Sequence, residues 1–151
     1  MEKYLKLKIV FLLIVSIISN SSCVFDRDDH KLKLYNDTNK EIYFILKKDT
    51  LLQLKDVKFI EEESRFNTVK VKDTCLPLFA RINAGGYIRK INEECMDSTM
   101  FLYLFEIDSV KKYGWASNIK KESMFIKKGF KVKDLDNINW IIKLRELMPD
   151  R

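Results

Sequence analysis

The chain has 151 residues, 28 lysines and arginines against 22 aspartates and glutamates, and a single histidine, His30. The net charge of +6 is spread over lysine pairs set between apolar residues, with no arginine–aromatic cluster of the kind that tracks a nucleic acid, so no nucleic-acid partner is expected. A lone histidine and the lack of any CxxC pair argue against a metal centre, and no cofactor is expected.

The first residues, MEKYLKLK, carry Lys3, Lys6 and Lys8 against Glu2. Ile9 to Ile18 follow as an apolar run broken by Ser16, and then the small or polar Ser19, Asn20, Ser21 and Ser22. A basic start, a short apolar run and small residues before a cut make a secretory signal peptide. A membrane-spanning helix needs about 20 apolar residues, and this run is too short for one. The stretch NSSC resembles the lipobox of bacterial lipoproteins, in which a peptidase cuts before a cysteine that carries diacylglycerol. Ser21 and Ser22 are the small residues such a site takes, whereas Asn20 stands where a leucine-like residue is usual. This resemblance implies a signal peptide over residues 1–22, lipidation at Cys23 and a membrane lipid as partner through the acylated cysteine. The alternative is an ordinary signal cut nearby, with Cys23 a spare thiol. A lipid anchor buries about 0.8 kcal/mol per CH₂ and holds its protein on the membrane.

Residues 23–30 read as an acidic tether. FDRDD, Phe25 to Asp29, resembles the acidic export tag of surface lipoproteins of the Bacteroidota, and equally reads as a solvated charge run. A cut before Cys23 removes three lysines and one glutamate and takes the net charge from +6 to +4. Residues 31–151 then form one globular domain by size. With Cys23 lipidated, Cys75 and Cys95 are left as an even pair that can form a disulfide outside the cytoplasm, worth about 3 kcal/mol in the chain-entropy account. Two free, partly buried thiols are the alternative.

KLKLY (Lys31 to Tyr35) and EIYFIL (Glu41 to Leu46) alternate like strands, and the turn formers NDTNK between them predict a hairpin with a five-residue loop. LLQLKDVKFIEEE is compatible with a short helix or with a loop holding one strand. TVKVK (Thr68 to Lys72) is again a strand pattern. LPLFARI (Leu76 to Ile82) and YIRKI (Tyr87 to Ile91) are predicted to pair across Gly85-Gly86. A phosphate-binding loop there would need a helix opening at the glycines and a Lys-Ser/Thr pair after them, and neither is read from the sequence.

TMFLYLFEI (Thr99 to Ile107) is the most apolar stretch after the leader and reads as a central strand buried on both faces. Asp108-Ser109 can cap a helix with Val110 and Tyr113 inward, ended or kinked at Gly114, with another turn over Trp115 to Lys121. Met124 to Val132 looks extended, Asp134 can cap a helical turn through Leu135 and Ile138, and Asn139 to Leu144 is a last strand. The fold class expected is mainly β, a β-sandwich-like or α+β single domain with short helices in its C-terminal third.

Phe101 to Trp115 followed by Met124 to Ile142 resembles a family of small uncharacterised lipoproteins of the Bacteroidota. The shared features are an apolar strand ending at Asp108, a Lys112-Tyr113-X-Trp115 step, and an ending made of Asp134, Leu135, Ile138, Asn139 and Trp140. Ile141 stands where threonine is more usual, and Gly129 replaces an aromatic. The resemblance implies a fold and an outer-membrane location in the cell envelope, on the periplasmic or surface face, and brings no activity with it.

No nucleophile–base pair is apparent, and the carboxylate runs Glu61-Glu62-Glu63 and Glu93-Glu94 read as solvated, so the chain is not expected to be an enzyme. Trp115 and Trp140, with Tyr87, Tyr103 and Tyr113, are candidates for a carbohydrate or protein platform, but their apolar neighbours favour the core. The function expected is a non-catalytic binding or envelope module with a protein or glycan partner. The alternative is a periplasmic inhibitor or immunity lipoprotein that blocks a toxin or lytic enzyme. Asn36-Asp37-Thr38 has N-glycosylation spacing, read as coincidental. Thr50, Ser98 and Ser109 resemble Asp-(Ser/Thr)-apolar O-glycosylation sites, with Thr50 the best of them.

Overall fold

The structure, a computed structural model, describes residues 31–57, 67–77 and 86–148. The leader, Cys23, the tether, Glu61 to Glu63 and most of LPLFARI lie outside the described residues.

The strand β5, Met100–Glu106, organises the molecule. Successive strand side chains point to opposite faces. Met100, Leu102 and Leu104 enter one core with Leu34, Phe44 and Leu135, while Tyr103 and Phe105 enter a second with Ile45, Val57 and Val110. Two cores explain why nearly every position of β5 is apolar, as expected of a strand covered on both faces. Each large side chain buried there is worth about 1.5–3 kcal/mol.

β5 lies antiparallel between β2 (Ile42–Lys47) and β6 (Ile126–Phe130), and β3 (Thr68–Val69) completes the order β3-β2-β5-β6. A second sheet has the order β4-β1-β7, built from Thr74–Cys75, Lys33–Tyr35 and Ile141–Lys143. Its central strand β1 is antiparallel to β4 and parallel to β7. With short helices and connecting turns around the two sheets, the architecture is α+β.

The expected first hairpin does not form, because β1 and β2 belong to different sheets. Asn36 is the reason. Its side chain is fully buried. Its amide nitrogen donates to the carbonyls of Lys40 (2.7 Å) and Val69 (3.0 Å), and its oxygen accepts from Thr38 N (3.1 Å) and Thr38 Oγ1 (2.6 Å). These bonds close residues 36–40 into a crossover from one sheet to the other. TVKVK is likewise shorter than a strand. After β3 the chain turns, with Lys72 at φ 57° and its N–H on the carbonyl of Asn36 (2.8 Å), and re-emerges as β4.

The expected strand over YIRKI is a helix. Gly86, at φ 63°, opens α1, Gly86–Arg89, which widens into a π turn over Lys90–Glu94. Tyr87 and Ile91 share a face in either conformation, two strand repeats or one helical turn apart, and both are buried.

α2, Ile107–Lys120, starts as β5 ends and breaks at Gly114 (φ 74°, ψ 161°). Val110 faces inward as expected, but Tyr113 is exposed. β6 falls within the predicted extended segment. α3, Val132–Asn137, starts two residues before Asp134, which is its third residue rather than the expected cap and reaches back so that its carboxylate accepts the N–H of Lys131, the actual cap, at 2.9 Å. Its far end is a Schellman turn, with Asn139 N donating to Asp136 O (3.1 Å) and Trp140 N to Leu135 O (2.8 Å). Asn139 (φ 50°) and Trp140 (φ 59°) are both left-handed. Trp140 is held there because its indole N–H donates to Asp136 Oδ1 (2.8 Å) and its ring packs against Tyr87. β7 follows, and α4, Leu144–Leu147, ends the described chain.

Candidate functional site

A cleft of about 370 Å³ opens where β5 ends and β6 begins. One lip is the crossover, through Thr38, Asn39 and Lys40, and the floor includes Leu104 and Ile126. The opposite lip is Ser123, Met124 and Phe125, and Met148 closes a side.

Each wall is fixed by a bond made elsewhere. Asn36 shapes the crossover from inside. Asp37 Oδ1 accepts the backbone N–H of Arg145 at 2.8 Å, in the first turn of α4, and so holds the helix that leads to Met148. Lys40 Nζ donates to both carboxylate oxygens of Glu106, each at 2.9 Å. That ion pair is 39% and 26% exposed, so its net contribution to stability is at most about 1 kcal/mol, and it remains within reach of a ligand.

Ser109 also lines the cleft. Its hydroxyl donates to the amide oxygen of buried Asn118 (2.8 Å), which in turn donates to the carbonyls of Ser109 (3.2 Å) and Gly114 (2.8 Å). An amide oxygen cannot take the proton as a base would, so this serine is not set up as a nucleophile. The cleft therefore offers one ion pair, hydroxyl groups and an apolar wall with two methionines, whose flexible thioethers adapt to varied shapes.

Apart from Ser109, the residues singled out from the sequence do not converge on it. Cys75 and Cys95 are free thiols that pack against the same core, not the expected disulfide. Burial, with a smaller push from Asp73, raises the pKa of Cys75. Burial also raises Cys95, against the opposing pull of Lys48 and Lys90. Thr50 is exposed, and its carbonyl accepts from Tyr103 Oη (2.7 Å) and Lys127 Nζ (3.1 Å). Ser98 and Ser109 have their hydroxyls in hydrogen bonds, and Asn36 is buried and bonded through both side-chain polar atoms.

Glu93 pairs with Arg89 (2.8 Å) and Glu94 with Lys48, so these carboxylates are not a free pair. The aromatic residues make no platform. Trp140 is buried beside Tyr87, Trp115 packs edge-on to Phe105 at 5.2 Å, and Tyr113 stands apart on the surface.

Of the cleft residues, Ser109 alone stands out in the sequence, as a helix cap and a glycosylation candidate. The available signal was Glu106, a charge closing an otherwise apolar strand, and the polar NDTNK loop, which reads simply as a turn. Among the described residues no group of three or more acidic, histidine or cysteine side chains could hold a metal ion, and no helix is long and apolar enough to cross a membrane. Comparison with protein families, with curated proteins and with solved structures finds no match to this chain.

Proposed function

We propose that this chain is an exported binding module of the cell envelope, tethered to the outer membrane by lipid on Cys23, that receives a protein or glycan partner in the Lys40–Met124 cleft without carrying out chemistry on it. The observation that carries this reading is the direction of β1. The chain reaches β1 through Lys31 and leaves it at Asn36, and the crossover beyond that far end forms a lip of the cleft. Seven residues separate Cys23 from Lys31, a reach of at most about 30 Å. A lipid at Cys23 would keep the Lys31 end within that reach of the bilayer, with the crossover lip at the other end of β1.

Two measurements test the reading. The intact mass of protein extracted in detergent from the cells that make it should begin at Cys23 and include acyl chains. A photo-crosslinking residue at Asn39 should give a discrete adduct in those cells, while one at exposed Lys55 should not. A lipid-free mass overturns the tether, and the absence of any Asn39-specific adduct overturns the cleft. Protease added to intact cells then assigns the face. Cleavage fits a surface receptor, and protection fits the periplasmic inhibitor.

A further inference from the structure

The strand next to the cleft, β6, has an open side among the described residues. Among the described residues, β6 pairs with β5 and with no strand beyond it. The backbone groups along such an edge can pair with an added chain. Its surroundings are strongly basic. Between Lys120 and Lys133 the sequence carries Lys120, Lys121, Lys127, Lys128, Lys131 and Lys133 against one acidic residue, Glu122.

Lys127 and Lys128 are both exposed and, as strand neighbours, point to opposite faces. Lys127 Nζ lies 5.3 Å from the centre of the Phe101 ring and 5.9 Å from that of Tyr103, which fixes its position on one face. Like charges set opposite one another destabilise a strand pair, so these lysines oppose pairing of β6 with a second β6. The same charges favour an acidic strand, so the edge is selective rather than closed.

Two further positions bear on what fits. Ile126 begins β6 and lines the cleft. Gly129 presents no side chain, and the space its Cβ would take is already approached by Thr99 Cγ2 (2.9 Å) and Phe101 Cε1 (3.3 Å). Phe101, its register partner on β5, already covers this bare backbone, as an aromatic residue opposite a strand glycine does, so Gly129 asks for no cover from a partner.

We propose that β6 receives an extended acidic segment of a protein partner as an added antiparallel strand, with carboxylates opposite Lys127 and Lys128 and an apolar residue opposite Ile126 at the mouth of the cleft. This rests on the cleft reading above and names its partner class.

The test is the binding of a fluorescein-labelled hexapeptide, TFEEVT, to the full chain in detergent micelles at low salt, followed by anisotropy. Saturable binding is expected, weakened about tenfold or more by Lys128→Glu. A peptide N-methylated at alternate residues keeps its charge but cannot complete the ladder, and it should bind at least about tenfold more weakly. Equal binding of the N-methylated peptide would leave only a diffuse charge effect and overturn the proposal, as would an unchanged affinity in Lys128→Glu or no binding at all. An Asn39 crosslink in cells combined with failure of the acidic peptide sinks this inference and leaves the cleft reading standing.

Discussion

Asp37 caps a helix that lies 108 residues away in sequence, its carboxylate accepting the Arg145 N–H at 2.8 Å. The bond joins the crossover after the first strand to the last helix, and both border the cleft. Asp37→Ala should lower stability by about 1 kcal/mol, as loss of a helix cap does, and should broaden or shift the Met148 methyl resonance. Asp37→Asn retains an acceptor and should stay close to the parent in urea unfolding. An alanine variant with unchanged midpoint and unchanged Met148 signal would mean that the bond does not hold α4.

Asn139→Gly should stabilise the protein by about 0.5–1 kcal/mol, read as a rise in Tm. Asn139 is exposed at φ 50°, so the exchange relieves a left-handed backbone without removing a packed side chain. Asn139→Val should move the other way by about 1–2 kcal/mol, because a β-branched residue is strained there. Equal Tm values for the two variants would show that the Schellman turn contributes nothing.

These turns also show what could be read from the sequence. β2 was legible because it alternates, β5 because it is apolar on both faces, and β6 because it falls within a segment that reads as extended. The Gly114 break was legible because it depends on one residue type in one local geometry, whereas Asp134 signalled the helix start but not its position, two residues earlier. The sheet to which β1 belongs was not, since a polar five-residue loop suits a hairpin or a crossover, and the choice is made by the contact of buried Asn36 with Val69, 33 residues away. YIRKI was misread because Tyr87 and Ile91 fall on one face of a strand and of a helix alike. The cleft was hidden for the same kind of reason, as its lips come from the crossover, β5, the turn before β6 and the end of α4. The residues of the lipoprotein resemblance that fall on α3 and after it, Asp134, Leu135, Ile138, Asn139 and Trp140, have local structural duties as cap, core and turn.

Gly114→Ala should cost about 1–3 kcal/mol although nothing lies within 4 Å of the added Cβ. The penalty is torsional, since φ 74° with ψ 161° is a region that glycine alone occupies readily. D-alanine at this position, introduced by semisynthesis, relieves the conflict and should recover most of the loss in thermal unfolding. Equal destabilisation by both enantiomers would point to packing instead.

Cys75 and Cys95 should react slowly with a disulfide reagent at pH 8 in the folded protein and promptly in urea. Burial raises both pKa values and keeps the thiolate scarce. In a Cys23→Ser chain purified without reductant, two thiols should be counted after unfolding. A count of zero that rises to two only with reductant would establish the disulfide in place of the free pair.

Tyr103 gives the clearest pH dependence. Its side chain is buried, it donates to the Thr50 carbonyl at 2.7 Å, and burial, followed by Asp49 and Asp56, pushes its pKa up to about 12. In the unfolded chain the phenol ionises near 10. The unfolded state therefore loses its proton first. The contribution of Tyr103 is complete below pH 10 and drains away as pH rises toward 12, by up to about 2 kcal/mol. Urea midpoints of the parent should fall more steeply between pH 9.5 and 12 than those of Tyr103→Phe, in which the other titrating groups are common and cancel. Parallel slopes would mean that the phenol reaches water, and that the second core is open at the Thr50 loop.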